Sequence, residues 1–225
     1  MHNIIAIDFN PLLANEWGVH SAGVFDVSKL ITEEMVVYPG NPGPSIERYA
    51  SLPKDGVNES VLTPGCHTGT HVDSRLHLRE GKEGVSSLPL ESFYGKCRVF
   101  DLVHVEEEIH RQDLEGFQID PGDIVFLKTR NSALGYIKFL ENYVHLKMDA
   151  VEYPVSAGVK TLGFDYFRVK KLEGDDEVHE LLLNNMTLFE GLNLAGVHEG
   201  EYTILGLPLH IDAGVAPARI ILIKE

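Results

Sequence analysis

Between Cys66 and Leu78 the chain reads C-H-T-G-T-H-V-D-S-R-L-H-L, which places three histidines and an aspartate within eleven residues. Imidazole and carboxylate are donors that a borderline-hard divalent ion accepts, and a spare imidazole moves protons near neutral pH. The spacing limits how His67, His71, Asp73 and His77 can act together. A helix turns each side chain by about 100°, which would put His67 and His71 on one face and Asp73 and His77 on another. Gly69, Thr70 and Val72 also disfavour a helix. In an extended chain all four positions share one parity and project to one side. A straight strand would spread residues 67 to 77 over roughly 33 Å. The chain must therefore bend, and Gly69 and the Ser74-Arg75 stretch are the places for it. A lone histidine in a loop is ordinarily solvated or hydrogen-bonded to a neighbour. Three histidines with an aspartate, in phase, point instead to a metal site with a proton carrier.

The surrounding elements must hold that segment. Asn3 to Asp8 and Val24 to Val27 read as short strands, and Glu34 to Tyr38 as another, stopped by Pro39-Gly40-Asn41-Pro42-Gly43-Pro44. Ile46 to Ala50 alternates as an edge strand. Cys97 to Val103 and Asp123 to Lys128 read as strands, with a short helix over Val105 to Asp113 between them. Asp149 to Ala157 reads as a helix ended by Gly158, despite Pro154 inside it. A buried strand is expected over Val159 to Asp165. The strongest helix runs from Asp175 to Asn185, capped by Asp175 or Asp176, with Val178, Leu181 and Leu182 as its apolar stripe. Tyr202 to Leu209 and Ala218 to Lys224 close the chain as strands. Many strands with few short helices give an α+β protein with a strand-rich mixed sheet core.

Composition narrows the function classes. Hydrophobic residues at 44% and charged residues at 24% are ordinary for a globular protein, which argues against disorder as the main state. The formal charge of -15, from 34 acidic against 19 basic residues, repels phosphate backbones and anionic lipid. Nucleic acid and membrane surfaces are therefore poor partners, and a small-molecule substrate is expected. Two cysteines, Cys66 and Cys97, make no disulfide framework. The first apolar run stops at Asp8 without a basic region before it, too short for a signal peptide or a span. A soluble cytoplasmic protein is the expectation.

H-T-G-T-H-V-D-S-R-L-H resembles the H-x-G-T-H-x-D-x-P-x-H signature of the cyclase-like metal-dependent hydrolases, a group that includes bacterial kynurenine formamidases and isatin hydrolases. Phe25-Asp26-Val27-Ser28 with Tyr38-Pro39-Gly40 resembles the group's opening strand and its W/Y-P-G turn. Leu162-Gly163-Phe164-Asp165 resembles a later G-x-D segment. Gly200-Glu201-Tyr202 with Leu207-Pro208-Leu209 resembles a C-terminal G-x-Y…L-P-L pattern. The resemblance covers about residues 24 to 225 and leaves 1 to 23 as an N-terminal extension of one domain. It implies the group's swivelling β/β/α fold and a homo-oligomer. It also implies that His67, His71 and Asp73 are metal ligands, with Asp73 able to bridge two ions. His77 matches the group's acid/base histidine, and His179 and Glu190 match the ligands that complete a two-metal site. Without the resemblance, His179 reads as a partly buried helix-end histidine and Glu190 as an ordinary carboxylate at a strand end. One position departs from the signature: Arg75 stands where the group has proline. Arg75 either reaches the pocket to pair with a substrate carboxylate or points to solvent.

The chemistry expected is hydrolysis of an amide. Zinc, as one or two ions, or manganese would lower the pKa of a bound water to about 7 and polarise the carbonyl. His77 would pass a proton to the departing amine. An aromatic formamide such as N-formylkynurenine is the leading substrate, giving kynurenine and formate, the arylformamidase step of tryptophan catabolism. Tyr38 and nearby apolar residues would either wall an aromatic substrate or simply pack in the core. The alternatives are a cyclic amide or ester such as isatin, and a metal-binding protein without catalysis.

Overall fold

The computed structural model describes residues 19–21, 23–134, 138–173 and 176–224. Two short strands, β1 (Val19–Ser21) and β2 (Val24–Asp26), precede an exposed antiparallel hairpin of β3 (Ser45–Ala50) and β4 (Glu59–Thr63). β5 (His71–Asp73), β6 (Tyr94–Asp101) and β7 (Glu108–Ile109) follow, then α1 (Arg111–Leu114), β8 (Ile124–Lys128) and β9 (His145–Leu146). Next come α2 (Met148–Ser156), β10 (Thr161–Phe164), α3 (Asp176–Asn185) and β11 (Thr187–Glu190), and last β12 (Gly200–Pro208) and β13 (Val215–Ile223). The main sheet has nine strands in the order β1-β2-β13-β12-β6-β8-β10-β11-β5. β5 also pairs with β13, so the sheet closes into a barrel. Neighbours among β6, β8, β10 and β11 are parallel, whereas β5, β12 and β13 run antiparallel to their partners. β13 is long enough to serve two strands on one side: Val215–Pro217 pairs with β5 and Ile221–Ile223 with β2.

Alternation sets what each face buries. In β8, Ile124 and Phe126 fill the barrel with Val72, Val99, Phe189, Ile204 and Ile220. Val125 and Leu127 point the other way, into a second cluster with Val151 of α2 and Val178 and Leu182 of α3. A strand covered on both faces needs an unbroken apolar run, which is what Ile124 to Leu127 supplies. Gly163 in β10 makes room for this filling, since a Cβ there would lie 2.3 Å from Phe126 Cδ1.

This strand-rich mixed sheet with three short α-helices among the described residues is the α+β architecture expected from the sequence. Two elements differ. Glu34 to Tyr38 forms turn and irregular chain rather than a strand. Its side chains are half-buried or exposed and no strand among the described residues pairs with it, so its apolar residues pack as a loop. Val105 to Asp113 does not form one helix: β7 pairs in parallel with β9, and at the start of the short α1 the His110 amide donates to Asp113 Oδ2 at 2.7 Å. Ile109 is buried in the outer cluster, and its tertiary contact overrides the local helical pattern. In α3 the buried face is Val178, His179, Leu182 and Leu183, while Leu181 is only partly buried. Asp175 and the segment Asn3 to Asp8 lie outside the described residues. Cys66 and Cys97 are both free thiols. No described helix is long and apolar enough to cross a membrane.

Candidate active site

β5 is three residues long, and Val72 at its centre is fully buried inside the barrel. His71 and Asp73 therefore emerge together on the outer face. The neighbouring β11 sends Phe189 inward and Glu190 outward, and the register places Glu190 directly opposite His71. α3 packs over this face and contributes His179, which is 8% exposed. The chain bends on each side of β5. Gly69 takes a φ of +67°, in the left-handed region that a glycine enters freely. After Ser74 a single 3-10 turn spans Arg75–His77. These bends return His67 and His77 over the strand, with ring centroids 4.7 Å apart.

The polar atoms converge on Asp73. Its Oδ1 lies 3.6 Å from His71 Nε2 and 3.9 Å from His67 Nδ1, while Oδ2 lies 3.1 Å from His179 Nε2. His67 Nδ1 and His71 Nε2 are 3.1 Å apart, and Glu190 Oε2 is 3.4 Å from His71 Nε2. Two sets of possible ligand atoms result, His67-His71-Asp73 and Asp73-His77-His179, each with all atoms within 4.8 Å of one another. Asp73 belongs to both. Outer partners aim the donors: His71 Nδ1 sits 2.9 Å from the Gly69 carbonyl oxygen, so the N–H donated there leaves the Nε2 lone pair facing inward. Glu190 Oε1 accepts from the Val169 amide at 2.9 Å, leaving Oε2 for the centre.

Electrostatics fit a cation at this point. Asp73 Oδ1 is buried and accepts no hydrogen bond, a costly state for a carboxylate oxygen unless a metal takes its lone pair. Burial alone would push the Asp73 carboxyl up. The His179 hydrogen bond and the charges of His71 and His67 outweigh it and hold the carboxyl well below the usual range. Burial lowers His67 to about 4, so this imidazole is neutral and free to coordinate at neutral pH. His71 and His179 are raised despite burial, His71 by Glu190 and Asp73 and His179 by Asp73 and Glu190. That density of unneutralised donors suits a divalent ion, which replaces the protons these groups would otherwise hold.

A cavity of about 270 Å³ opens over the cluster. The four histidines and Glu190 form its floor, and Tyr38, Asn41, Phe167 and Arg168 its wall. Tyr38, expected at the pocket, is there. Arg75 is not: it lies on the protein surface with its guanidinium 3.2 Å from Glu83, so it takes the solvent-facing alternative. The 3-10 turn that swings His77 over the site turns Arg75 away from it. The cation that does line the cavity is Arg168, which the sequence pattern does not reveal. It sits in an irregular stretch beyond β10, Phe167-Arg168-Val169-Lys170, with no periodicity to set its direction.

Residues 25–171 match the model of the Cyclase family, described as "Putative cyclase". A kynurenine formamidase from Bacillus cereus is 28% identical over 202 residues, spanning 88% of this chain and 95% of the relative. One from Salinibacter ruber is 29% identical over 204 residues, spanning 88% and 96%. Among solved structures, a predicted metal-dependent hydrolase from Bacillus stearothermophilus shares 32% identity with a TM-score of 0.79, covering 90% of this chain and 98% of that one. An isatin hydrolase bound to the product analogue thioisatinate has a TM-score of 0.79 at 17% identity, covering 89% and 92%, a likeness of fold. A closed mixed barrel whose outer face carries this histidine-aspartate cluster, matched by a family model over most of its length, makes the chain a member of the Cyclase family.

Proposed function

We propose that this cyclase-family hydrolase cleaves the formyl C–N bond of an aromatic formamide, in the manner of an arylformamidase acting on N-formylkynurenine. The observation that carries the proposal is Asp73, whose two buried oxygens face separate sets of imidazoles in the floor of an aromatic-walled cavity. His67, His71, Asp73 and Glu190 would hold one divalent ion, and Asp73 with His179 a second; zinc suits these nitrogen and oxygen donors, and manganese is the alternative. Such a metal supplies Lewis acidity toward a carbonyl oxygen and lowers the pKa of a bound water to about 7.

The rest falls to the chain's own groups. Asp73, below the cavity floor, keeps the two sets of imidazoles together. Val169 and the Gly69 carbonyl prevent Glu190 and His71 from rotating away. Tyr38 and Phe167 give the cavity an aromatic wall for a planar ring to lie against. His77, the exposed histidine of the cavity floor, can exchange protons with solvent. It takes up the proton released as water adds to the formyl carbon and returns it to the departing aryl nitrogen. Formate and a free arylamine are the products.

Zinc- and manganese-loaded protein should be assayed side by side on N-formylkynurenine and isatin, with His77→Ala as the variant. Hydrolysis of the formamide is expected, and His77→Ala should lower kcat by about 10²- to 10⁴-fold with metal content unchanged. Preference for isatin would move the protein to cyclic amides, and an unaltered kcat would remove His77 from the chemistry. Loss of an ion in the variant would make His77 a ligand.

A further inference from the structure

The cavity wall holds a charge that the hydrolysis itself does not use. Arg168 is half-buried, with its guanidinium carbon 5.1 Å from the centre of the Tyr38 ring. Its Nη1 donates to Tyr38 Oη and, at 3.5 Å, to the Leu172 carbonyl oxygen. Among the described residues Nε and Nη2 donate to nothing, and no carboxylate lies within ion-pairing distance of the guanidinium. The Nε–Nη2 edge is the fork that grips a carboxylate with two parallel hydrogen bonds.

Its position is fixed from the backbone outward. Tyr166 accepts from the Gly191 amide at 2.7 Å, the Val169 amide donates to Glu190, and Val169 accepts from the Leu146 amide at 2.7 Å. The arginine is thus tied to the strand end that carries Glu190. It also borders an adjoining recess of about 480 Å³, which Lys170 lines as well. The carboxylates in that recess already have partners: Asp176 is paired with Lys170, and Glu180 accepts from Arg79 Nε at 2.8 Å. In a protein of net charge -15, Arg168 is left without a carboxylate partner among the described residues, in the wall of the reaction cavity.

We propose that Arg168 is the specificity-determining residue of this cavity, binding a carboxylate carried by the same molecule as the aryl amide. The substrate class is thereby narrowed to anionic aryl amides, with the ring between Tyr38 and Phe167, the acyl carbon over the histidine cluster and the carboxylate on the open edge of the guanidinium. Arg168 takes the role in substrate recognition that Arg75, paired with Glu83 on the surface, does not fill. The inference rests on the amidase reading for the nature of the substrate, but binding tests it separately from turnover.

Kynurenine and its α-carboxamide should be titrated into zinc-loaded protein by calorimetry, with N-formylkynurenine and its α-carboxamide compared in the hydrolysis assay. Wild-type protein should bind the carboxylate about 10- to 100-fold more tightly than the carboxamide, the loss expected for a hydrogen-bonded charge. Arg168→Gln should bring that ratio close to one, and Arg168→Lys should restore part of it, since lysine keeps the charge without the fork. The wild-type ratio needs no variant, so it decides even if a substitution unfolds the chain. A wild-type ratio near one, or no binding of either ligand, overturns the proposal, as does a ratio that Arg168→Gln leaves intact. Discrimination in binding with no hydrolysis of either formamide would sink the amidase reading and leave the carboxylate site standing.

Discussion

Gly191→Ala tests whether the barrel and the metal cluster share one mechanical joint. Gly191 follows Glu190 with a φ of +71°, a conformation that costs an alanine about 1–2 kcal/mol. An added Cβ would also lie 2.5 Å from the Gly69 oxygen, 3.1 Å from its carbonyl carbon and 3.3 Å from Thr70 Cα. All three are backbone atoms that no rotamer change can move, and such overpacking costs typically about 1–3 kcal/mol. Together these give a destabilisation of about 2–5 kcal/mol. The crowded Gly69 carbonyl is the one that orients His71, so relief by backbone movement must tilt that imidazole. Disturbing such an outer partner typically lowers metal affinity about 10- to 100-fold. Urea unfolding of the metal-free protein would measure the first effect, and zinc titration against a competing chelator the second. Gly116, where an added Cβ would meet nothing within 4 Å, is the control, and its alanine variant should stay within about 0.5 kcal/mol of wild type. Should Gly191→Ala match that control in both stability and zinc affinity, the proposed coupling of Gly191 to the Gly69 bend is wrong.

Two further substitutions probe the buried carboxylates. Asp73→Asn keeps the shape and removes the charge that both imidazole sets face. Zinc affinity should fall by more than about 100-fold, and the His179 pKa, read by NMR on metal-free protein, should drop as the anionic acceptor is lost; an unchanged zinc affinity would remove Asp73 from the ligand set. Asp165, fully buried, is pushed up to about 6 by desolvation despite hydrogen bonds from Thr129 and Ser132, against 3.8 in the unfolded chain. Between those values the unfolded state holds fewer protons than the native state. The contribution of this group to stability is therefore complete below about pH 3.8 and is lost as the pH rises through about 6. The stability of wild type minus that of Asp165→Asn, measured by urea unfolding, should fall over that window, and a flat difference would contradict the assignment.

Local physics made much of this legible in advance. The apolar runs at Asp123 to Lys128, Val159 to Asp165 and the C-terminal pair became strands because both of their faces, or one whole face, are buried. The helix before Asn185 followed from the spacing of Val178 and Leu182, which α3 buries. Glu34 to Tyr38 misled because a short apolar run does not say whether a pairing strand will be alongside it. Val105 to Asp113 misled because a two-residue pairing with His145–Leu146, far along the chain, interrupts the helical pattern.

The sequence by itself determined the donor set: four groups of one parity around a strand that had to bend at Gly69 and after Ser74, because residue type and the two-residue period of an extended chain are local properties. Tertiary structure alone decided what meets that set. His179 reaches Asp73 across 106 residues, Glu190 faces His71 by cross-strand register, and Arg168 rather than Arg75 enters the cavity. Those contacts depend on register and helix docking, which are set by packing summed over the whole closed barrel and are carried by no single stretch of the chain.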